Sequence, residues 1–114
     1  MSNKKVQYFD LSAILSIILD RNLCKKFYDV YELVWFVCND NLINDTGIRV
    51  ESVRIKPHLL AIHPYLSSIT FKEGENIDEF LKAQEEKFGT NLPVTRLGVE
   101  LPKRCIKKIA RRQK

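Results

Sequence analysis

Apolar residues recur at Leu11, Ile14, Leu15, Ile18 and Leu19, the i, i+3, i+4, i+7, i+8 spacing of a helix with one buried face. Asp10 stands where a helix N-cap belongs, Ser12, Ser16 and Asp20 take the other side, and Asp20-Arg21-Asn22 ends the run. A second helix is signalled by Asp29 and Glu32 as a capping box, with Tyr28 and Leu33 as the hydrophobic staple across it. From Val30 to Cys38 that helix is apolar nearly all round, which predicts the central and most buried element of the fold. Asn39-Asp40-Asn41 stops it, because short polar side chains compete for the backbone and favour turns.

Residues 42–66 carry a mixed pattern. Thr46-Gly47 reads as a turn; Ile48, Val50, Val53 and Ile55 alternate like a strand with a slip at Ser52, yet the same positions suit a short helix. Pro57 disfavours α geometry at Lys56 and suits the first residue of a new turn, so two short helices broken near Pro57 are expected. The β-branched residues between Leu66 and Phe71 read as a strand. A third clear helix follows, with Asn76 and Glu79 as its capping box and Ile77, Phe80, Leu81 and Phe88 as its apolar stripe. Gly89 sits in the usual place for a left-handed C-cap. Leu97, Val99 and Leu101 alternate with Gly98 and Glu100, predicting a short strand over 94–101 that ends at Pro102.

These elements predict an α+β fold: a single compact helix-rich domain over residues 1–102 with one or two short strands, followed by a basic C-terminal tail, 103–114. A chain of 114 residues buries about two thirds of its unfolded surface. With 45% hydrophobic residues it should fold rather than stay disordered, only Met1 to Lys5 and the tail reading as loose ends. The longest unbroken apolar run, Leu33 to Cys38, is far short of the ~20 residues that span a bilayer. The polar N-terminus lacks the apolar region of a secretion signal. Cys24, Cys38 and Cys105 are odd in number and without Cys-x-x-Cys spacing, which suits a reducing cytoplasm.

Charge changes the picture at one end. Lys103, Arg104, Lys107, Lys108, Arg111, Arg112 and Lys114 give the last twelve residues +7, against +5 for the whole chain, so residues 1–102 stand at −2. These seven cations are the candidate phosphate- or partner-binding residues. If the tail is helical, Ile106, Ile109 and Ala110 share a side that is narrow and without aromatics, which argues against membrane insertion. Any nucleic-acid contact made there is to the phosphate backbone and independent of sequence; the bland alternative is a solvated, solubilising terminus. A second feature is the aromatic density of Phe27, Tyr28, Tyr31, Trp35 and Phe36. Either that helix is sandwiched, the favoured reading, or one aromatic edge is an interface for a partner or a second copy.

Catalytic chemistry finds little footing. His58 and His63 lie five residues apart, about 140° around a helix, so they do not share a ligand site as an i, i+4 pair would; partly exposed structural roles are expected. Cys24 and Cys38 read as small core residues, while the cations around Cys105 lower its thiol pKa without making it functional. Glu73, Glu75, Asp78, Glu79, Glu85 and Glu86 map onto one surface helix and its approach. Phosphate-cradling and dinucleotide loops are missing, as is a serine elbow. The expectation is a non-enzyme with no metal and no cofactor.

Four segments in order resemble a family of small uncharacterised proteins of tailed bacteriophages: Phe9-Asp10-Leu11-Ser12-Ala13-Ile14-Leu15-Ser16, Asp29-Val30-Tyr31-Glu32-Leu33, Lys56-Pro57-His58-Leu59-Leu60 with His63-Pro64-Tyr65-Leu66, and Phe80-Leu81 through Lys87-Phe88-Gly89 to Leu92-Pro93-Val94. Together they cover about residues 9–97. The resemblance supplies no catalytic residues and implies action in the cytoplasm of an infected bacterium. The chain departs from the family's pattern at Ile18-Leu19-Asp20, where a glycine is usual, and in its basic tail. By analogy with small phage proteins that occupy a surface of a larger machine, the expected function is to bind and inhibit or redirect a host nucleic-acid machine, such as a CRISPR effector or another defence nuclease. Tyr28, Tyr31 and Tyr65 are its candidate protein interface, and a host protein or ribonucleoprotein its expected partner. The alternative is a nucleic-acid-binding accessory protein that works through the tail.

Overall fold

The computed structural model describes residues 6–24 and 26–101; Met1 to Lys5 and the whole basic tail lie outside them. Two strands at opposite ends of the described chain, β1 (Val6–Asp10) and β2 (Asn91–Thr95), pair antiparallel with Phe9 opposite Leu92 and Tyr8 opposite Pro93. Pro93 cannot donate to a ladder, and a two-stranded sheet, being all edge, tolerates that. The strand expected over 94–101 thus begins earlier and ends at Thr95. Beyond it the chain curls back: Gly98 takes φ +82, the Thr95 hydroxyl donates to the Val99 carbonyl at 2.6 Å, and Leu97 N–H donates to Val37 O. The alternation of Leu97, Val99 and Leu101 comes from a turn, not a ladder.

α1 (Leu11–Ile18) leaves β1 directly, and Asp10 accepts from Ser12 N–H at 2.9 Å as its N-cap. All eight residues of α1 are buried, the two serines included. Ser16 Oγ makes this possible by donating to Ser12 O at 2.7 Å and accepting from Leu23 N–H at 2.9 Å. A hydroxyl satisfied in this way costs little to bury, so α1 is the centre of the fold and contacts α2, α3 and α4.

α2 (Tyr28–Cys38) is therefore not the most buried helix, as its apolar sequence suggests. Val30, Leu33, Val34, Phe36 and Val37 face the core while Tyr28 and Glu32 face outward. Its capping box does not form: Phe27 holds the N-cap position with helical φ/ψ, which places Asp29 inside the first turn, where its charge meets the helix dipole. The predicted stop does form, with Asn39 left-handed at φ 55, ψ 43.

α3 (Asp45–Ile62) is one continuous helix through Pro57, rather than two short helices, and residues 48–56 are helical rather than extended. Asn44 caps it by accepting from Gly47 N–H at 2.9 Å. Ile48, Ile55 and Leu59 are buried along one side and hold the helix against α1 and α2, while Pro57 sits on the exposed side. The missing Pro57 N–H is an interior helix bond forgone, a loss of about 3 kcal/mol relative to alanine, partly offset by the stiffer unfolded chain. Pro57→Ala is accordingly expected to raise stability by about 1–2 kcal/mol, read as a later urea midpoint at unchanged m.

A 3-10 turn (Pro64–Ser68) then occupies part of the segment read as a strand, burying Leu66, and the chain runs without a ladder partner to α4 (Ile77–Phe88). Asn76 caps α4 by accepting from Glu79 N–H at 3.0 Å, and Phe80 and Phe88 are buried as the stripe predicts. Ile77, also assigned to that stripe, is 41% exposed. Gly89 closes the helix at φ 95, ψ 165, a positive φ that favours glycine though outside the left-handed helical well. The outcome is the expected α+β domain, four helices around one core with a two-stranded antiparallel sheet. Among the described residues, no helix is long and apolar enough to cross a membrane.

Candidate interaction surface

α2 packs against α1, α3 and both strands, and its exposed positions are Tyr28 and Glu32. Positions 28, 31, 32 and 35 share the side away from α1 at i, i+3, i+4, i+7 spacing, with Tyr28 and Glu32 exposed and Tyr31 and Trp35 partly buried against the core. Tyr28, Tyr31 and Trp35 form a ladder there, with Tyr28–Tyr31 stacked at 6.4 Å between centroids. Trp35 stands edge-on to Tyr28 at 5.6 Å and to Tyr31 at 5.8 Å. Phe27 adds a fourth ring against Tyr31 at 5.4 Å. Tyr28 is 58% exposed, Phe27 42%, and Leu42 just beyond the helix 88%.

The ladder is fixed from beneath by its polar ends. Trp35 Nε1–H donates to Ile43 O at 3.0 Å, and the Tyr31 hydroxyl donates to Asp45 Oδ1 at 2.6 Å. That bond to a carboxylate, with Asp45's charge, holds the Tyr31 phenol above its ordinary pKa. Tyr31 and Trp35, each held at its polar tip, lose little freedom on binding and back the exposed rings of Tyr28 and Phe27. From Tyr28 to Asp45 the chain carries Asp29, Glu32, Asp40 and Asp45 and no lysine or arginine, and Arg54 of α3 lines the same pocket as Asp40 and Leu42. An aromatic ladder in an acidic frame favours cationic partners, through ring faces and carboxylates alike.

Tyr65, the third tyrosine of the expected interface, is placed elsewhere. It is partly buried at the far end of α3, packed on Phe88 at 4.9 Å, with its hydroxyl 2.9 Å from His63 Nδ1. Burial raises its pKa. His63 itself is fully buried, not partly exposed, and its Nε2 lies 2.7 Å from Pro93 O. A carbonyl only accepts, so Nε2 carries the proton and Nδ1 accepts from Tyr65. Burial lowers the His63 pKa, with the neighbouring His58 adding to the effect and the Pro93 carbonyl opposing it. His58 also reaches β2, its Nε2 2.9 Å from Thr95 O. The two histidines therefore clamp the α3 end of the fold to β2, which five-residue spacing alone does not reveal.

Cys24 and Cys38 are half-buried against the core, near the expected position. Cys38 Sγ lies 3.4 Å from Glu51 Oε2, and burial followed by that carboxylate pushes its pKa up to about 11. At neutral pH it is a thiol, not a nucleophilic thiolate. Cys105 and the seven cations of Lys103 to Lys114 lie outside the described residues. Beside Tyr28 and Tyr31, which the sequence singles out, lie Leu42, exposed beyond the left-handed stop at Asn39, and the four acids of residues 28–45, which show only in a window count of charge. No protein-family model, no curated protein and no solved structure matches this chain, so its surface is read from its own chemistry.

Proposed function

We propose that the protein is a non-enzymatic binding protein that docks the acidic, aromatic side of α2 on a basic surface of a host nucleic-acid machine and blocks or redirects it. The observation that supports this reading is the ladder of Phe27, Tyr28, Tyr31 and Trp35, its inner rings Tyr31 and Trp35 held by hydrogen bonds, in a stretch of sequence with four acids and no base. Surfaces that hold nucleic-acid backbone are rich in lysine and arginine and are often flanked by groups that stack on bases. Carboxylates interspersed with flat rings offer such a surface the same two kinds of contact. A CRISPR effector or another defence nuclease fits that description, and the resemblance of four sequence segments to phage proteins supports an encounter in an infected bacterium. The acidic side of α2 repels phosphate, so the alternative, direct binding of nucleic acid, falls on Lys103 to Lys114.

The test is capture from bacterial lysate, with and without nuclease treatment, comparing the full chain with Tyr28→Ala and Glu32→Lys. Both side chains are exposed, so folding stability should change by less than about 1 kcal/mol. The expected outcome is a defined protein partner that persists after nuclease and falls at least tenfold in yield with either variant. Partners lost on nuclease treatment and indifferent to both variants would show that the tail, acting on nucleic acid, is the working part.

A further inference from the structure

We propose that the cavity between the last turn of α3 and the turn of residues 98–101 is a binding site for a primary alkylammonium, a hydrogen-bond-donating cation carried on a short apolar stem. The cavity measures about 530 Å³, within the range of small-molecule sites. It shares no lining residue with the aromatic ladder, so it is a second site rather than an extension of the first. His58, Ala61 and Ile62 form one wall, at the i, i+3, i+4 spacing of a single helix face. Val99, Glu100 and Leu101 contribute the other. That second wall is tied down at three points. Val99 N–H donates to Arg96 O at 3.0 Å, the Thr95 hydroxyl donates to Val99 O at 2.6 Å, and Leu101 is buried against Val6, Ile62 and Tyr65.

The ligand class follows from the two polar side chains. His58 Nε2 lies 2.9 Å from Thr95 O and 3.2 Å from Thr95 Oγ1, whose own proton goes to Val99 O. Both Thr95 oxygens therefore accept, and Nε2 of the neutral ring carries the proton. Nδ1 is left as an acceptor with no partner among the described residues. Glu100 is exposed, and as a carboxylate it also only accepts. Among the described residues, no lysine or arginine lines the cavity. Two acceptors, one of them charged, stand with the apolar side chains of Ala61, Ile62, Val99 and Leu101. An ammonium brings three donors and no acceptor, and its stem can lie along those apolar walls. An anion meets repulsion from Glu100, and an uncharged alcohol forgoes its attraction.

Methyl NMR titration of the full chain tests this at about pH 8, above the ordinary histidine range, with n-pentylamine and with 1-pentanol as the uncharged stem. The Ala61 and Val99 methyl signals are expected to shift and to saturate with pentylamine near ~1 mM, a modest affinity for six heavy atoms. Pentanol is expected to bind about tenfold more weakly, lacking the charge-assisted bond. Glu100→Gln should weaken pentylamine by about fivefold and leave pentanol unchanged. Ala61→Leu, which fills the cavity from an exposed helix position, should abolish both. Equal binding of amine and alcohol would overturn the proposal, as would an amine indifferent to Glu100→Gln. So would a lack of saturable shifts in the full chain; if they then appear in Lys103→Ala, the cavity belongs to the chain's own lysine and not to an outside ligand. Nα-acetyl-lysine methylamide distinguishes the two sources of such a cation. Affinity equal to that of pentylamine supports the proposal with a partner's lysine side chain as ligand, and much weaker affinity supports it with a free amine.

Discussion

Replacing His63 with alanine is expected to remove about 3–5 kcal/mol of folding stability, combining a core cavity with a Pro93 carbonyl and a Tyr65 hydroxyl deprived of their partner. For a chain of this length that lowers the melting temperature by about 10 °C or more. The imidazole is a joint as much as a filler. One nitrogen reaches β2, the other takes the 3-10 turn through Tyr65, and His63 itself sits between α3 and that turn, so three elements lose their common fixture together.

The same residue makes stability depend on pH. Its pKa is lowered in the folded state, so the fold holds the neutral form more firmly than the unfolded chain does. Above the ordinary histidine value of about 6.5 both states are neutral and the contribution is complete. As pH falls below that value the unfolded chain takes up a proton that the native state refuses, and stability declines until the folded pKa is reached. Urea titrations at about pH 7.5 and about pH 5.5 should show the native chain weakening across that interval and His63→Ala weakening less. An equal pH response in the two proteins would mean that His63 is not the titrating group.

Ile14→Ala in α1 is the second large effect, expected at about 3–4 kcal/mol because Ile14 is wholly buried in a helix that packs against elements on every side. Tyr28→Ala in α2, the removal of a larger side chain, should cost less than about 1 kcal/mol. Chemical denaturation of the two variants side by side checks the ordering. It is the reverse of what the sequence suggests, since α2 has the longer apolar run and the aromatic rings. A loss at Tyr28 as large as that at Ile14 would indicate that the ladder is part of the core rather than an open surface.

Local chemistry was legible residue by residue. Asp10, Asn76 and the Asn39 stop are short-range devices, in which a side chain answers a backbone group within a few positions, and each acts where the sequence places it. Asn44 is of the same kind: it caps α3 through Gly47 N–H, within the segment where Thr46-Gly47 reads only as a turn. The Asp29–Glu32 box failed by one step, since the helix starts at Tyr28 and leaves no cap position for Asp29. Pro57 does not break α3, because the burial of Ile48, Ile55 and Leu59 outweighs one missing hydrogen bond.

The sequence by itself determined the α+β class, the helices α1, α2 and α4, and the concentration of positive charge at the end of the chain, because periodicity, capping and charge are properties of neighbouring residues. Only the tertiary structure decided that β1 pairs with β2 across nearly the whole described chain, that His63 is buried between them and α3, and that the open helix is α2 rather than α1. Those outcomes depend on which helix occupies the centre of the packing. α1 can go there because Ser12 and Ser16 lie within hydrogen-bonding reach of groups that satisfy them, leaving Tyr28 and Glu32 of α2 facing solvent.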